Sequence, residues 1–239
     1  MKSSEFPSGK SVALLLDPDK ATGKSLDSLL EVACEAKADY IFTGGSLTFR
    51  SIDVLIDYVK QRCSIPVVLF PGNLLQLTGK ADIILLLSLI SGRNPDLLIG
   101  NHVIAAPFLS GLREKLVPTG YILINCGNKT SVEYISQTEA IPSDKPDIVV
   151  ATALAGEMLG LRMIYLEAGS GALMHVPSEI IKEVRENISL PLAVGGGIRN
   201  SENARDIFRA GADMLVIGNG CEKNPQLLRD VCLVRDSLR

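Results

Sequence analysis

Eight short apolar runs recur along this chain, with helix-compatible stretches between them: Ser11–Asp17, Tyr40–Gly44, Pro66–Phe70, Asp82–Leu87, Gly120–Asn125, Met163–Glu167, Pro191–Val194 and Met214–Ile217. Alternation of this kind is the signature of a parallel sheet with crossover helices. Eight such units, each strand followed by a helix or its substitute, close into a (β/α)8 TIM barrel. The 239 residues fit one barrel of about 250 residues, and no repeat or low-complexity linker divides them. Residues 1–239 are therefore expected to form a single domain. Asp147–Val150 is also apolar and β-branched, but it runs into the Ala-rich segment 151–159, which favours a helix between strands five and six. Leu26–Lys37, Pro177–Glu186 and Ser201–Ala210 show apolar residues at helical spacing, and Gly211 is placed as a C-cap.

In such a barrel the chemistry sits at the C-terminal ends of the strands, and a phosphate is held by the loops after strands seven and eight. Here those loops are the glycine-rich ends Gly195-Gly196-Gly197 and Gly218-Asn219-Gly220, where backbone N–H groups can close on an anion without Cβ interference. Tyr165 and Glu167 lie two apart on strand six and share a face. Gly169-Ser170-Gly171 just beyond them forms an anion-accepting turn. Glu167 could hold or deprotonate a hydroxyl on a phosphorylated molecule; the alternative is a structural carboxylate paired with Arg or Lys. Strand one ends in Asp17-Pro18-Asp19-Lys20 and strand five in Asn125-Cys126-Gly127-Asn128. A carboxylate directly after a buried run needs a cation or strong donors. Mg²⁺ suits Asp17, because it takes one or two protein oxygens and lets phosphates complete its shell; the alternative is an Asp that caps the following turn. Asp19 is expected to form the turn and Lys20 to face solvent rather than a phosphate. Thr43-Gly44-Gly45-Ser46 could offer N–H groups and a hydroxyl to the same ion, or be an ordinary loop. His102 and His175 lack metal-ligand spacing, and no G-x-S-x-G elbow occurs.

With 24 Lys+Arg against 27 Asp+Glu and no basic run, nucleic acid is not an expected partner. Five cysteines without a C-x-x-C pair fit reduced thiols in a cytoplasm. The start MKSSEFPSGK lacks an apolar signal region. The run beginning Ile83–Leu87 is far below the roughly 18 residues that span a bilayer, so no transmembrane segment is expected.

Taken in order, LLLDPDK, TGGS, VVLFPGN, YLEAGSGA, VGGGIR and VIGNG resemble the geranylgeranylglyceryl phosphate synthase family of (β/α)8 prenyltransferases. The form of the first two motifs resembles the family's second group, found in archaea and some bacteria. Bacterial heptaprenyl relatives carry a Lys two before the Asp, where this chain has Leu15. The resemblance implies transfer of a prenyl group from geranylgeranyl diphosphate to the C3 hydroxyl of sn-glycerol 1-phosphate, with Mg²⁺. It implies that Asp17 and Ser46 bind the metal. It gives the glycerol phosphate to Tyr165, Leu166, Glu167, Ala168, Gly169, Ser170, Gly171, Gly196, Gly197, Gly218 and Asn219. Physical chemistry agrees, with Glu167 orienting the glycerol and taking the hydroxyl proton, so Glu167 and Asp17 are the expected catalytic residues. A prenyl trench is expected after strand four, from Leu85–Leu89 through Ile104–Leu109. A homo-oligomer, dimer or hexamer, is also implied. A longer prenyl donor, a flavin or sugar-phosphate barrel enzyme, and a non-catalytic phospholigand-binding barrel are the competing readings.

Overall fold

The computed structural model describes Phe6, residues 9–127 and residues 129–239; Asn128 and most of the first eight residues lie outside it. The parallel strands are β1 (Ser11–Leu16), β2 (Tyr40–Thr43), β3 (Val67–Leu69), β4 (Ile83–Leu89), β5 (Leu116–Asn125), a two-residue β6 (Ile141–Pro142), β7 (Met163–Glu167), β8 (Leu192–Gly195) and β9 (Met214–Ile217). β4 pairs with β5, and β1 pairs with both β2 and β9. The ring closes as an eight-membered barrel, while β6 only extends the mouth end of β5 through Ile124 and Asn125.

Alternation along each strand separates two apolar layers. Ala13, Phe42, Val68, Leu85, Tyr165, Ala193 and Val216 fill the barrel interior. Leu14, Ile41, Leu69, Ile84, Leu166, Val194 and Leu215 face the surrounding helices. These are α1 (Gly23–Glu35), α2 (Ile52–Arg62), α3 (Asn101–Leu109), α4 (Ser131–Ser136), α5 (Pro146–Met158), α6 (Ser178–Asn187), α7 (Ser201–Arg209), α8 (Asn219–Lys223) and α9 (Gln226–Asp236). α7 shows the local logic: Asn200 caps its start by accepting from Asn203 N–H, Ala204, Ile207 and Phe208 are buried, and Gly211 follows at φ +115°. The Asp147–Val150 run is helical, as its Ala-rich continuation implies.

One expectation needs correction. Leu85–Leu89 is not a segment beyond strand four: it is β4 itself, held in register with Val117–Tyr121. The departure from regular alternation begins one strand earlier, since among the described residues β3 is followed by a single 3₁₀ turn, Leu74–Gln76, and no α-helix. Beyond β4 the chain makes a π turn, Asp96–Gly100, that runs straight into α3. Among the described residues no helix is long and apolar enough to cross a membrane. The cysteines are free thiols, with Cys34 and Cys63 in sulfur contact at 3.0 Å.

Candidate active site

The strand ends surround a cavity of about 800 Å³. One end is polar and glycine-rich, lined by Glu167, Gly169, Ser170, Gly196, Gly218 and Asn219; the other is apolar, lined by Leu74, Leu77, Leu86, Leu97, Ala105 and Leu109. That apolar end occupies the space left by the missing helix after β3, with α3 as its far wall.

Glu167 closes β7 at the bottom of the polar end, where it is 6% exposed. Its Oε1 accepts the Gly169 N–H at 2.6 Å. Burial pushes its carboxyl up to about 7, against the opposing pull of that N–H and of the phenols of Tyr165 and Tyr121. No Arg or Lys pairs with it, so the reading of Glu167 as half of a structural ion pair does not hold among the described residues. The Tyr165 hydroxyl is buried beside that carboxyl, near enough to act on it but with no partner in full hydrogen-bond geometry. Its ring stacks on Phe70 at 5.2 Å and meets Tyr121 at 5.4 Å, forming an aromatic floor. The next turn needs glycine for two reasons. Gly196 and Gly197 sit at φ +83° and +69°. A Cβ would lie 2.5 Å from Glu167 Oε1 at the first and 2.1 Å from the Met174 carbonyl oxygen at the second.

Strand one supplies Asp17 at the opposite rim. Asp17 performs the local turn itself: its Oδ1 accepts Asp19 N–H at 3.0 Å and its carbonyl accepts from Lys20 and Ala21. Asp19 instead reaches across to accept the N–H groups of Phe49 and Arg50, pinning the loop after β2. Lys20 does not simply face solvent. Its Nζ is 3.3 Å from Asp17 Oδ2 and donates to Asn219 Oδ1 at 3.3 Å. Asn219 Nδ2 in turn donates to Ser170 Oγ at 2.9 Å. Gly45 and Ser46 line the cavity beside Asp17, and a Cβ on Gly45 would lie 3.5 Å from the Asp17 carboxylate.

Of the residues singled out from the sequence, Asp17, Ser46, Tyr165, Glu167, Gly169, Ser170, Gly171, Gly196, Gly197, Gly218 and Asn219 all line this one cavity. Leu166 and Ala168 do not. Strand alternation turns Leu166 into the helix-facing layer, and Ala168 is buried in the same layer; Ala168 contributes a backbone N–H bonded to the Gly195 carbonyl. Among the described residues no cluster of three His, Cys, Asp or Glu gathers to hold a metal. Mg²⁺ does not require one, since it is commonly held by one or two carboxylates together with substrate phosphates. Asp17, with one oxygen directed away from its local turn, suits that mode.

Three residues escaped the sequence reading. Gln76, 2% exposed, donates to the Gly45 carbonyl at 2.7 Å and accepts Gly72 N–H at 3.0 Å, locking the loops after β2 and β3 together. Nothing in its sequence context distinguishes it. Arg199 donates to the Ala172 carbonyl at 3.0 Å and tethers the loop after β7; a cation two residues past a glycine turn is a usable signal. Tyr121 is paired in register with Tyr165, which only the strand pairing reveals. His102 and His175 both bond backbone carbonyls, those of Leu87 and Val176.

The sequence matches the PcrB family over residues 9–234. It is 48% identical to the geranylgeranylglyceryl phosphate synthase of Spirosoma linguale, across 94% of this chain and 91% of that one. Its identity to the synthase of Korarchaeum cryptofilum is 39%, across 95% and 94%. Among solved structures, (S)-3-O-geranylgeranylglyceryl phosphate synthase from Thermoplasma acidophilum, in complex with substrate sn-glycerol-1-phosphate, superposes with a TM-score of 0.87 at 31% identity, covering 96% of this chain and 94% of that one.

Proposed function

The chain belongs to the PcrB family, and from that premise we propose that it joins geranylgeranyl diphosphate to the C3 hydroxyl of sn-glycerol 1-phosphate through an ether bond, releasing diphosphate. The observation that carries this reading is one cavity with two chemistries: a buried carboxylate poised near neutrality among glycine turns, and an apolar arm beside a missing helix. The glycerol phosphate anion sits against the turns of Gly169–Gly171, Gly196-Gly197 and Gly218-Asn219. The prenyl chain lies along Leu74, Leu77, Leu86, Ala105 and Leu109.

Glu167 orients the glycerol and receives the C3 hydroxyl proton as that oxygen bonds to C1 of the prenyl chain. The electron pair of the breaking C1–O bond leaves with diphosphate. A base with a pKa near the working pH contributes about 10²–10⁴-fold. Asp17 and Ser46 are assigned to Mg²⁺, which when bound supplies positive charge to the departing diphosphate. The Tyr165 hydroxyl, buried beside the Glu167 carboxyl without a bond in full geometry, lies where it and Glu167 can both address the acceptor's hydroxyl. We further assign residues 1–239 to one domain, the free thiols to a cytoplasmic setting, and the protein to a homo-oligomer, dimer or hexamer. The exposed apolar residues Ile99, Val103, Ile104 and Phe108 on the α3 side are the surface that supports the last point.

The test is a product assay with radiolabelled sn-glycerol 1-phosphate and geranylgeranyl diphosphate, with Mg²⁺ or EDTA, beside sn-glycerol 3-phosphate. Prenylated product from the 1-phosphate alone, abolished by EDTA, is expected. Folded protein that gives no product from either acceptor would overturn the reading in favour of a phospholigand-binding barrel.

A further inference from the structure

Asp17 has one oxygen to give a metal ion. Oδ1 is engaged by the Asp19 N–H at 3.0 Å, which leaves Oδ2, and the Lys20 ammonium stands 3.3 Å from it. The same ammonium donates to Asn219 Oδ1 at 3.3 Å, and Asn219 is bonded onward to Ser170. Lys20 thus lies between the carboxylate assigned to Mg²⁺ and the turn assigned to the acceptor's phosphate. Glu222 and Lys223 on α8 line the same corner; Glu222 interacts electrostatically with both Asp17 and Lys20. Lys20 is about half exposed, so its flexible four-carbon stem can move without disturbing the core.

A divalent cation that takes Oδ2 must repel an ammonium at this distance. The other acceptor already holding that ammonium is Asn219, beside the phosphate turn. We propose that Lys20 is an exchangeable counter-ion: it holds Asp17 while no metal is present, and gives up Oδ2 to the metal to face the phosphate gathered by Asn219 and Ser170. This rests on the reading of Asp17 as the metal ligand. It makes Lys20 a positioning residue, with opposite effects on the two ligands: it weakens metal binding and strengthens phosphate binding.

The test titrates Mn²⁺ into the substrate-free protein, following the free ion by electron paramagnetic resonance. The wild-type chain should bind Mn²⁺ and Asp17→Asn should lose it. Lys20→Met should bind it about two- to fivefold more tightly, the scale of a half-exposed ion pair, while Lys20→Arg stays at the wild-type value. Lys20→Gln serves as a second neutral variant should the Met variant fail to fold. In turnover with saturating Mg²⁺, Lys20→Met should raise KM for sn-glycerol 1-phosphate roughly tenfold, the scale of a charged hydrogen bond, and change kcat far less. Mn²⁺ affinity unchanged or weakened in both neutral variants, or an unchanged KM, overturns the proposal alone. A wild-type chain that binds no Mn²⁺ either substrate-free or with inorganic diphosphate added overturns the metal reading and the proposal with it.

Discussion

On the side of the mouth built by β7, β8 and β9, the cavity wall is largely backbone: the positive-φ glycines bring the chain so close that a Cβ on Gly196 would lie 2.5 Å from Glu167 Oε1. On the side built by β3 and β4, the wall is side chain, made of leucines and Ala105 around a gap where a helix is missing. The first side recognises by direction, because N–H groups and a carboxylate must converge on fixed atoms. The second recognises by volume, because apolar burial is non-directional and roughly proportional to area. A displacement of a few tenths of an ångström therefore ruins the first and is absorbed by the second.

The largest expected break in this contrast is Glu167→Gln, which should keep the fold and lower kcat by about 10²–10⁴-fold; near-normal kcat in a steady-state assay would remove Glu167 from the mechanism. Gly196→Ala follows. Its methyl group would collide with Glu167 Oε1 in a backbone region alanine resists, and misplacement of that order should cost about 10²-fold in kcat/KM for the glycerol phosphate. On the apolar side, Ala105→Phe should lower kcat/KM for the C20 donor roughly tenfold, since pocket fit discriminates by factors of this size. It should spare a C10 donor and leave the KM for glycerol phosphate unchanged. Equal losses with both donors would show that the two sides are not separable.

The smallest expected effect is on stability. Folding raises the Glu167 carboxyl from 4.5 to about 7, so the native state holds its proton more tightly than the unfolded chain. Its contribution is therefore fully present below about pH 4.5 and is lost as pH rises through about 7. Glu167→Gln should melt a few degrees higher than wild type near pH 8, with the gap closing toward pH 4.5. A gap that widens in acid would contradict the burial argument.

The same contrast explains what could be read from the chain before its structure. The directional side is written in residue identity: glycines that tolerate positive φ, an Asp after an apolar run, a Glu two residues from a Tyr. The strand-end residues accordingly converged on one cavity. The volumetric side is written in an absence. Leu85–Leu89 resembles trench, helix or strand equally well, and only pairing with Val117–Tyr121 makes it β4. That β3 lacks its helix follows from where Leu74–Gln76 packs rather than from any one residue. Asp19 leaves the local turn to Asp17 because the Phe49 and Arg50 N–H groups that engage it lie on a loop distant in sequence.

The pairing of β1 with β9 has a consequence for the order in which the protein is made. Ser11–Leu14 finds its partner in Met214–Ile217, so during synthesis β1 waits with an open edge until the residues of β9 have emerged about 200 positions later, a state exposed to mispairing. The buried Arg235 guanidinium on α9, bonded to Asp39 at 2.5 Å and to the Lys37 carbonyl at 2.8 Å, latches that late arrival against the start of β2. Lys20 meets Asn219 only at the same moment. Ring closure and completion of the Asn219 side of the cavity therefore await the same strand.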